Sequence, residues 1–178
     1  IENDDVLLTA VGTFDTKDVG TSKTVSISNI TLAGDDAGNY TLTSSIPTST
    51  TAAITAKEIT ASGNITANDK PYDGNRTATL DCTVTLTGKV ENDDISFTAT
   101  GIFDSKDVGT DKTVTITPDL AGADASNYSL VSSSLSTSTT ANITPASLTI
   151  TANDHNITYG SAPENNGVIY SGFVVGEN

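Results

Sequence analysis

The residues that could do chemistry in this chain are mostly acids. Twenty-two Asp and Glu stand against eight Lys and Arg, one His and one Cys, for a net charge of −14. They gather in short groups: Glu2/Asp4/Asp5, Asp15/Asp18, Asp35/Asp36, Glu91/Asp93/Asp94, Asp104/Asp107 and Asp124. Carboxylate oxygens suit Ca²⁺, and ions bound at turns between strands would stiffen a modular chain. Asp4, Asp5, Asp15, Asp18, Asp93, Asp94, Asp104 and Asp107 are therefore the candidate Ca²⁺ ligands, although no group has the spacing of a known calcium loop. The competing expectation is a set of solvated turn carboxylates. Lys17 and Lys106 each sit in an Asp-x-Lys-Asp element, where a Lys–Asn or Lys–Asp isopeptide bond is conceivable. Such a bond needs a buried lysine, so ordinary salt-bridged turn lysines are expected instead.

Catalysis finds little support. Two facing acids could hydrolyse a glycosidic bond, but aromatic residues to stack on sugar make up only 5% of the chain and the acids lie in repeated turns. His155 is the single histidine, so neither a Ser-His-Asp triad nor a histidine-rich metal site can recur with the repeat described next. Cys82 is alone, which excludes an intramolecular disulfide and a cysteine metal cluster. The chain is not expected to be an enzyme, and no cofactor beyond Ca²⁺ suggests itself.

The acidic turns recur because the sequence recurs. Glu2 to Asn29 aligns with Glu91 to Pro118 at an offset of 89, with 18 of 28 positions identical, in a chain of 178 residues. Pieces that similar share a fold, so the chain reads as a tandem array. Three segments follow: 1–56 as the C-terminal part of a first repeat, 57–144 as a complete repeat, and 145–178 as the N-terminal part of a further one.

Within the repeat the elements are short strands. Val6 to Phe14, Thr24 to Ser28, Tyr40 with Leu42, and Ala52 with Ile54 read as four strands of the first segment. The complete repeat opens with Ile59/Ala61 and Ile65/Ala67, separated by a bulge or short loop at Ser62-Gly63-Asn64. A turn follows at Lys70-Pro71-Tyr72-Asp73-Gly74, where Pro and Gly are favoured. Leu80, Cys82, Val84 and Leu86 then alternate with Thr and Asp, which predicts a half-buried strand with Cys82 in the core. No stretch sustains a helical period; Ala33 to Gly38 has room for one turn. The expected fold is all-β, with tandem Ig-like sandwich modules of about 89 residues. The core should be lean, at 35% hydrophobic residues without Trp or Met. Tyr40 and Tyr128, each after an Asn, are expected to cap loops as tyrosine corners do.

Taken together, Lys70-Pro71-Tyr72-Asp73-Gly74, Leu120-Ala121-Gly122-Ala123-Asp124-Ala125-Ser126-Asn127-Tyr128 and Ile143-Thr144-Pro145 resemble the YDG domain of large bacterial surface and secreted proteins, filamentous-haemagglutinin-like adhesins among them. Residues 57–144 cover that pattern end to end, and 1–56 cover its second part. Ile157-Thr158-Tyr159-Gly160 and Tyr170-Ser171-Gly172-Phe173 look more like the related MBG domain of the Tyr-Gly-X type. The resemblance implies extracellular modules of a stalk or fibre and transfers no catalytic residue.

Partners follow from charge and from the incomplete ends. A net charge of −14 repels nucleic acid and anionic membrane surfaces, and the apolar runs are too short to insert into a bilayer. The last 34 residues are the counterpart of what the first segment lacks. The expected partner is therefore the protein itself, either as one longer continuous chain or as subunits exchanging strands. A glycan or a host surface is the other candidate partner. Seven Asn-x-Ser/Thr sequons, at Asn29, Asn39, Asn64, Asn75, Asn127, Asn142 and Asn156, and the Thr/Ser runs 44–51 and 132–140 would matter in a glycosylating host.

Overall fold

The computed structural model describes residues 3–43, 46–131, 134–162 and 167–176. Glu2 of the first acidic group, both chain ends and parts of the two Thr/Ser runs lie outside the described residues. The chain forms two compact units, residues 1–58 with 123–129, and residues 59–122 with 130–178. Among the described residues all regular structure is β, apart from the 3₁₀ turns Ala37–Asn39 and Ala125–Asn127.

The first unit holds an antiparallel sheet in the order β1 (Leu7–Phe14), β2 (Gly20–Ala33), β3 (Ser49–Ile54). Phe14 faces Val25 and Gly12 faces Ile27, until the pairing slips by one residue between Thr9 and Val11. That bulge records a difference between the repeats. Val25 and Val114 are 89 positions apart, but Ala33 and Ala121 only 88, so the first repeat carries one extra residue. Asn29 lies in this stretch with φ of 50°, a left-handed conformation that Asn tolerates.

The remaining strands are β4 (Lys57–Ala67), β5 (Lys70–Pro71), β6 (Thr77–Ala78), β7 (Leu80–Thr87), β8 (Ser96–Phe103), β9 (Gly109–Ala121), β10 (Tyr128–Val131), β11 (Ser138–Thr144), β12 (Thr149–Ala152) and β13 (Val168–Ser171). They form sheets in the orders β10-β4-β7, β5-β11-β9-β8-β6 and β12-β13. The β8–β9 ladder repeats the β1–β2 pairing without the slip, from Ser96 opposite Ala121 to Phe103 opposite Val114. Alternation along these strands builds the core of the second unit. One cluster gathers Ala78, Phe103, Val114, Ala141 and Ile143; another joins Ala61 and Ile65 of β4 to Ile116 of β9 and to Leu135. Leu80, Val84, Leu86, Phe97 and Ala99 flank the second cluster, so apolar faces of the three- and five-stranded sheets meet there. Full burial of side chains this size stabilises by about 1.5–3 kcal/mol each.

Three local expectations need correction. No loop interrupts Ser62-Gly63-Asn64: β4 runs through it, because Gly63 at φ +143° approaches the Thr83 carbonyl so closely that a Cβ would lie 2.0 Å from its oxygen. Cys82 is exposed rather than in the core. It shares the inward face of Leu80, Val84 and Leu86, but β7 is the outer strand of its sheet and leaves the thiol open to solvent. Tyr40 and Leu42 form no strand, whereas the matching residues of the second repeat form β10. β10 exists by pairing with β4, a ladder that the described residues show for the second repeat.

Candidate functional site

The repeated acidic turns are built around lysines. In the first repeat, Asp15 accepts from the Thr16 amide at 2.8 Å and lies 3.1 Å from Lys23 Nζ, which also donates to Thr16 Oγ1 at 2.5 Å. In the second, Asp104 accepts from the Ser105 amide at 2.7 Å and lies 3.1 Å from Lys112 Nζ, which donates to Ser105 Oγ at 2.8 Å. The lysine hydrogen bond, followed by the backbone amide, holds the Asp15 and Asp104 carboxyls below their ordinary range. The lysines that lock these turns are thus Lys23 and Lys112, not Lys17 and Lys106 of the Asp-x-Lys-Asp element. Sequence reasoning missed them, although both follow the turn at the same spacing.

The other candidate ligands also have local partners. Asp4 accepts the Tyr40 hydroxyl, which raises the Tyr40 pKa. Asp36 accepts the Asp5 amide at 3.0 Å, and Asp5 accepts the Asp35 amide at 3.4 Å. Asp107 accepts Ser105 Oγ at 3.1 Å, the Asp93 amide donates to Val90 O at 3.3 Å, and the Asp94 carbonyl closes on Gly122. The eight proposed ligands lie in four turns. Among the described residues no three acids, histidines or cysteines come together in a group that could hold a metal ion.

The Tyr-Asp-Gly turn is a densely bonded polar element. Lys70 Nζ donates to Asp73 Oδ1 at 2.7 Å, to Asn75 Oδ1 at 2.9 Å and to the carbonyls of Asn75 and Thr77 at 3.0 Å. The ammonium also stands 5.6 Å from the centre of the buried Phe103 ring. The turn therefore wraps its own lysine and lays it over the core. Next to it, Asp69 accepts the Asn142 amide at 2.6 Å and its Nδ2 at 2.9 Å, while Asn142 Oδ1 accepts the Asp111 amide. The Asn142 sequon is thereby committed to structure. His155 is an exposed residue, as expected of a surface turn.

A third set of contacts lies within the first unit. Lys17 Nζ is 2.9 Å from Asp124 Oδ1, the Val19 amide donates to Asn127 Oδ1 at 2.9 Å, and Asn127 Nδ2 donates to Asp18 Oδ1 at 3.3 Å. The Lys-Asp-Val turn of the first repeat thus meets the Asp/Asn loop of the second repeat's sequence.

Equivalent apolar residues differ sharply in burial. Phe103 is 0% exposed and its counterpart Phe14 39%; Tyr128 is 8% exposed and Tyr40 36%. Val114, Ile116, Ala141 and Ile143 are buried, while Val25, Ile27, Ala52 and Ile54 are only half-buried. The side chains are the same, so the difference lies in what covers them. Leu80, Ala78 and Tyr72 pack on the Phe103 cluster, all from the stretch 57–90. A second open apolar set lies on and beside β12–β13: Leu148, Ile150, Val168, Ile169, Tyr170 and Phe173. Tyr72, Leu148 and Phe173 line a shallow hollow of about 200 Å³ with Ala146, Gly172 and Val174.

The YDG domain model matches residues 1–52 and 55–141. No curated protein and no solved structure matches the chain. The two matched stretches carry the two repeats and their locked turns, and residues 142–178 lie beyond the match. The chain belongs to the YDG domain family.

Proposed function

We propose that this chain is a structural segment of an extracellular bacterial fibre, filament or adhesin stalk. In this reading its function is mechanical, set by length, stiffness and repetition. Each repeat is an Ig-like β-sandwich, and the incomplete repeats at the two ends are completed by an adjoining copy or chain segment. The burial contrast between Phe14 and Phe103 carries the reading, because it shows one sequence in an open and in a covered state. Solvent-exposed apolar faces of this size are a liability unless a partner covers them. The open residues of β12–β13 lie in the sequence counterpart of the stretch 57–90, which covers Phe103 in the second repeat, and this makes them a natural cover.

The test is small-angle scattering on concatemers of two, four and eight copies of the chain. A stalk gives a maximum dimension that grows in proportion to copy number. A dimension growing only as the cube root would sink the reading.

Three exposed aromatic residues, Tyr159, Tyr170 and Phe173, support a competing reading, a glycan- or protein-binding adhesin module dependent on Ca²⁺. Glycan-array binding that needs Ca²⁺, together with a rise in melting temperature at millimolar Ca²⁺, would favour it over the stalk. No shift would remove the metal from the account.

A further inference from the structure

The Lys17–Asp124, Val19–Asn127 and Asp18–Asn127 contacts join two sequence elements that both the first and the second repeat possess. The donor turn Lys17-Asp18-Val19 recurs as Lys106-Asp107-Val108, and the acceptor pair Asp124/Asn127 has its earlier counterpart in Asp36/Asn39. A contact between two different surfaces of one repeating unit is heterologous, so it propagates from copy to copy rather than closing on itself. We propose that Lys106, Asp107 and Val108 dock on the Asp36–Asn39 loop of a second copy of this chain, with Lys106 against Asp36 and Asn39 bridging Asp107 and the Val108 amide. This rests on the stalk reading and adds to it the polar joint that sets the register of successive repeats.

The chemistry is specific. One ion pair gives direction, since Lys must meet Asp. The Asn side chain both accepts from the Val amide and donates to the Asp carboxylate, a two-way match that an acceptor-only Asp at its position does not reproduce. Asn39 is exposed, and so are Lys106, Asp107 and Val108. The same copy that presents Asp36 and Asn39 presents the open β1–β3 face.

The test uses a one-to-one mixture of ¹⁴N- and ¹⁵N-labelled chain at about millimolar concentration. A zero-length carbodiimide reagent joins paired lysines and carboxylates, and the links are read by peptide mass spectrometry. The Lys17–Asp124 link is the internal control. Links between Lys106 and Asp36 in mixed-isotope pairs are the expected result. Asn39→Asp should lower their yield roughly tenfold by setting a carboxylate against Asp107. Adding Asp107→Asn restores the donor–acceptor match and should restore the yield. Mixed-isotope links that are absent while the control link forms, or that scatter evenly over the lysines, overturn the joint. The stalk reading fails by a different route, on concatemer dimension, so the two failures remain distinguishable.

Discussion

Truncating the two equivalent phenylalanines to alanine should have unequal consequences. Phe103 is fully buried between β9, β11 and the Tyr-Asp-Gly turn, and Lys70 lies over its ring. Phe103→Ala removes a whole aromatic side chain and leaves a cavity, at a cost of about 3–5 kcal/mol. Phe14 already gives 39% of its surface to water and has only half-buried neighbours to lose. Water can fill the space it vacates, so Phe14→Ala should cost only about 1–2 kcal/mol. The gap of roughly 2–3 kcal/mol is a large share of a domain stability that is usually about 5–15 kcal/mol. Urea unfolding followed by amide NMR resolves the two units separately, and the midpoints give both values. If the two substitutions cost the same in the single chain, the first-repeat face is already covered and the reasoning fails.

Other outcomes follow from single contacts. Gly63→Ala should break the β4–β7 ladder, since a Cβ there would lie 2.0 Å from Thr83 O at a φ that favours glycine; loss of slowly exchanging amides across Ile65–Cys82 is the readout. Asp15, Asp69, Asp73 and Asp104 have folded pKa values below the ordinary 3.8, because lysine or backbone donors bind the charged form. Their stabilisation is full above that value and is lost as pH falls through the lowered values, so the denaturant midpoint should hold from neutral pH to about pH 5 and then drop. Lys112→Met should flatten the Asp104 part of that drop. Cys82 should react with a thiol reagent in the native protein about as fast as in urea; reaction only after unfolding would place it in the core after all.

The internal repeat, the all-β class and most turn positions were legible because they rest on local signals, namely an 89-residue echo, period-two alternation and Gly/Asn/Asp turns. What escaped the sequence depended on partners far along the chain. Cys82 alternates in phase with Leu80 and Val84, yet alternation gives a face and not the depth of cover over it. Tyr40-Thr41-Leu42 and Tyr128-Ser129-Leu130 are near-identical triplets, yet only the second becomes a strand, since only it pairs with β4. The site was legible in the same partial way. The Asp-x-Lys-Asp element drew attention to Lys17 and Lys106, while the locking bonds come from Lys23 and Lys112, which sit on the next strand and reach back. Lys70 was read only as part of a turn. Its four acceptors become apparent once Asp73, Asn75 and Thr77 fold around it.

In the proposed stalk the open face of the first repeat docks the strands of an adjoining copy or chain segment. Amide hydrogen exchange on a two-copy tandem chain, with Asn178 of one copy joined to Ile1 of the next, tests it with an internal control. In such a stalk Leu7–Ala33 of the second copy becomes as protected as Ser96–Ala121, while Leu7–Ala33 of the first copy stays fast. Equal, fast exchange of Leu7–Ala33 in both copies would contradict it.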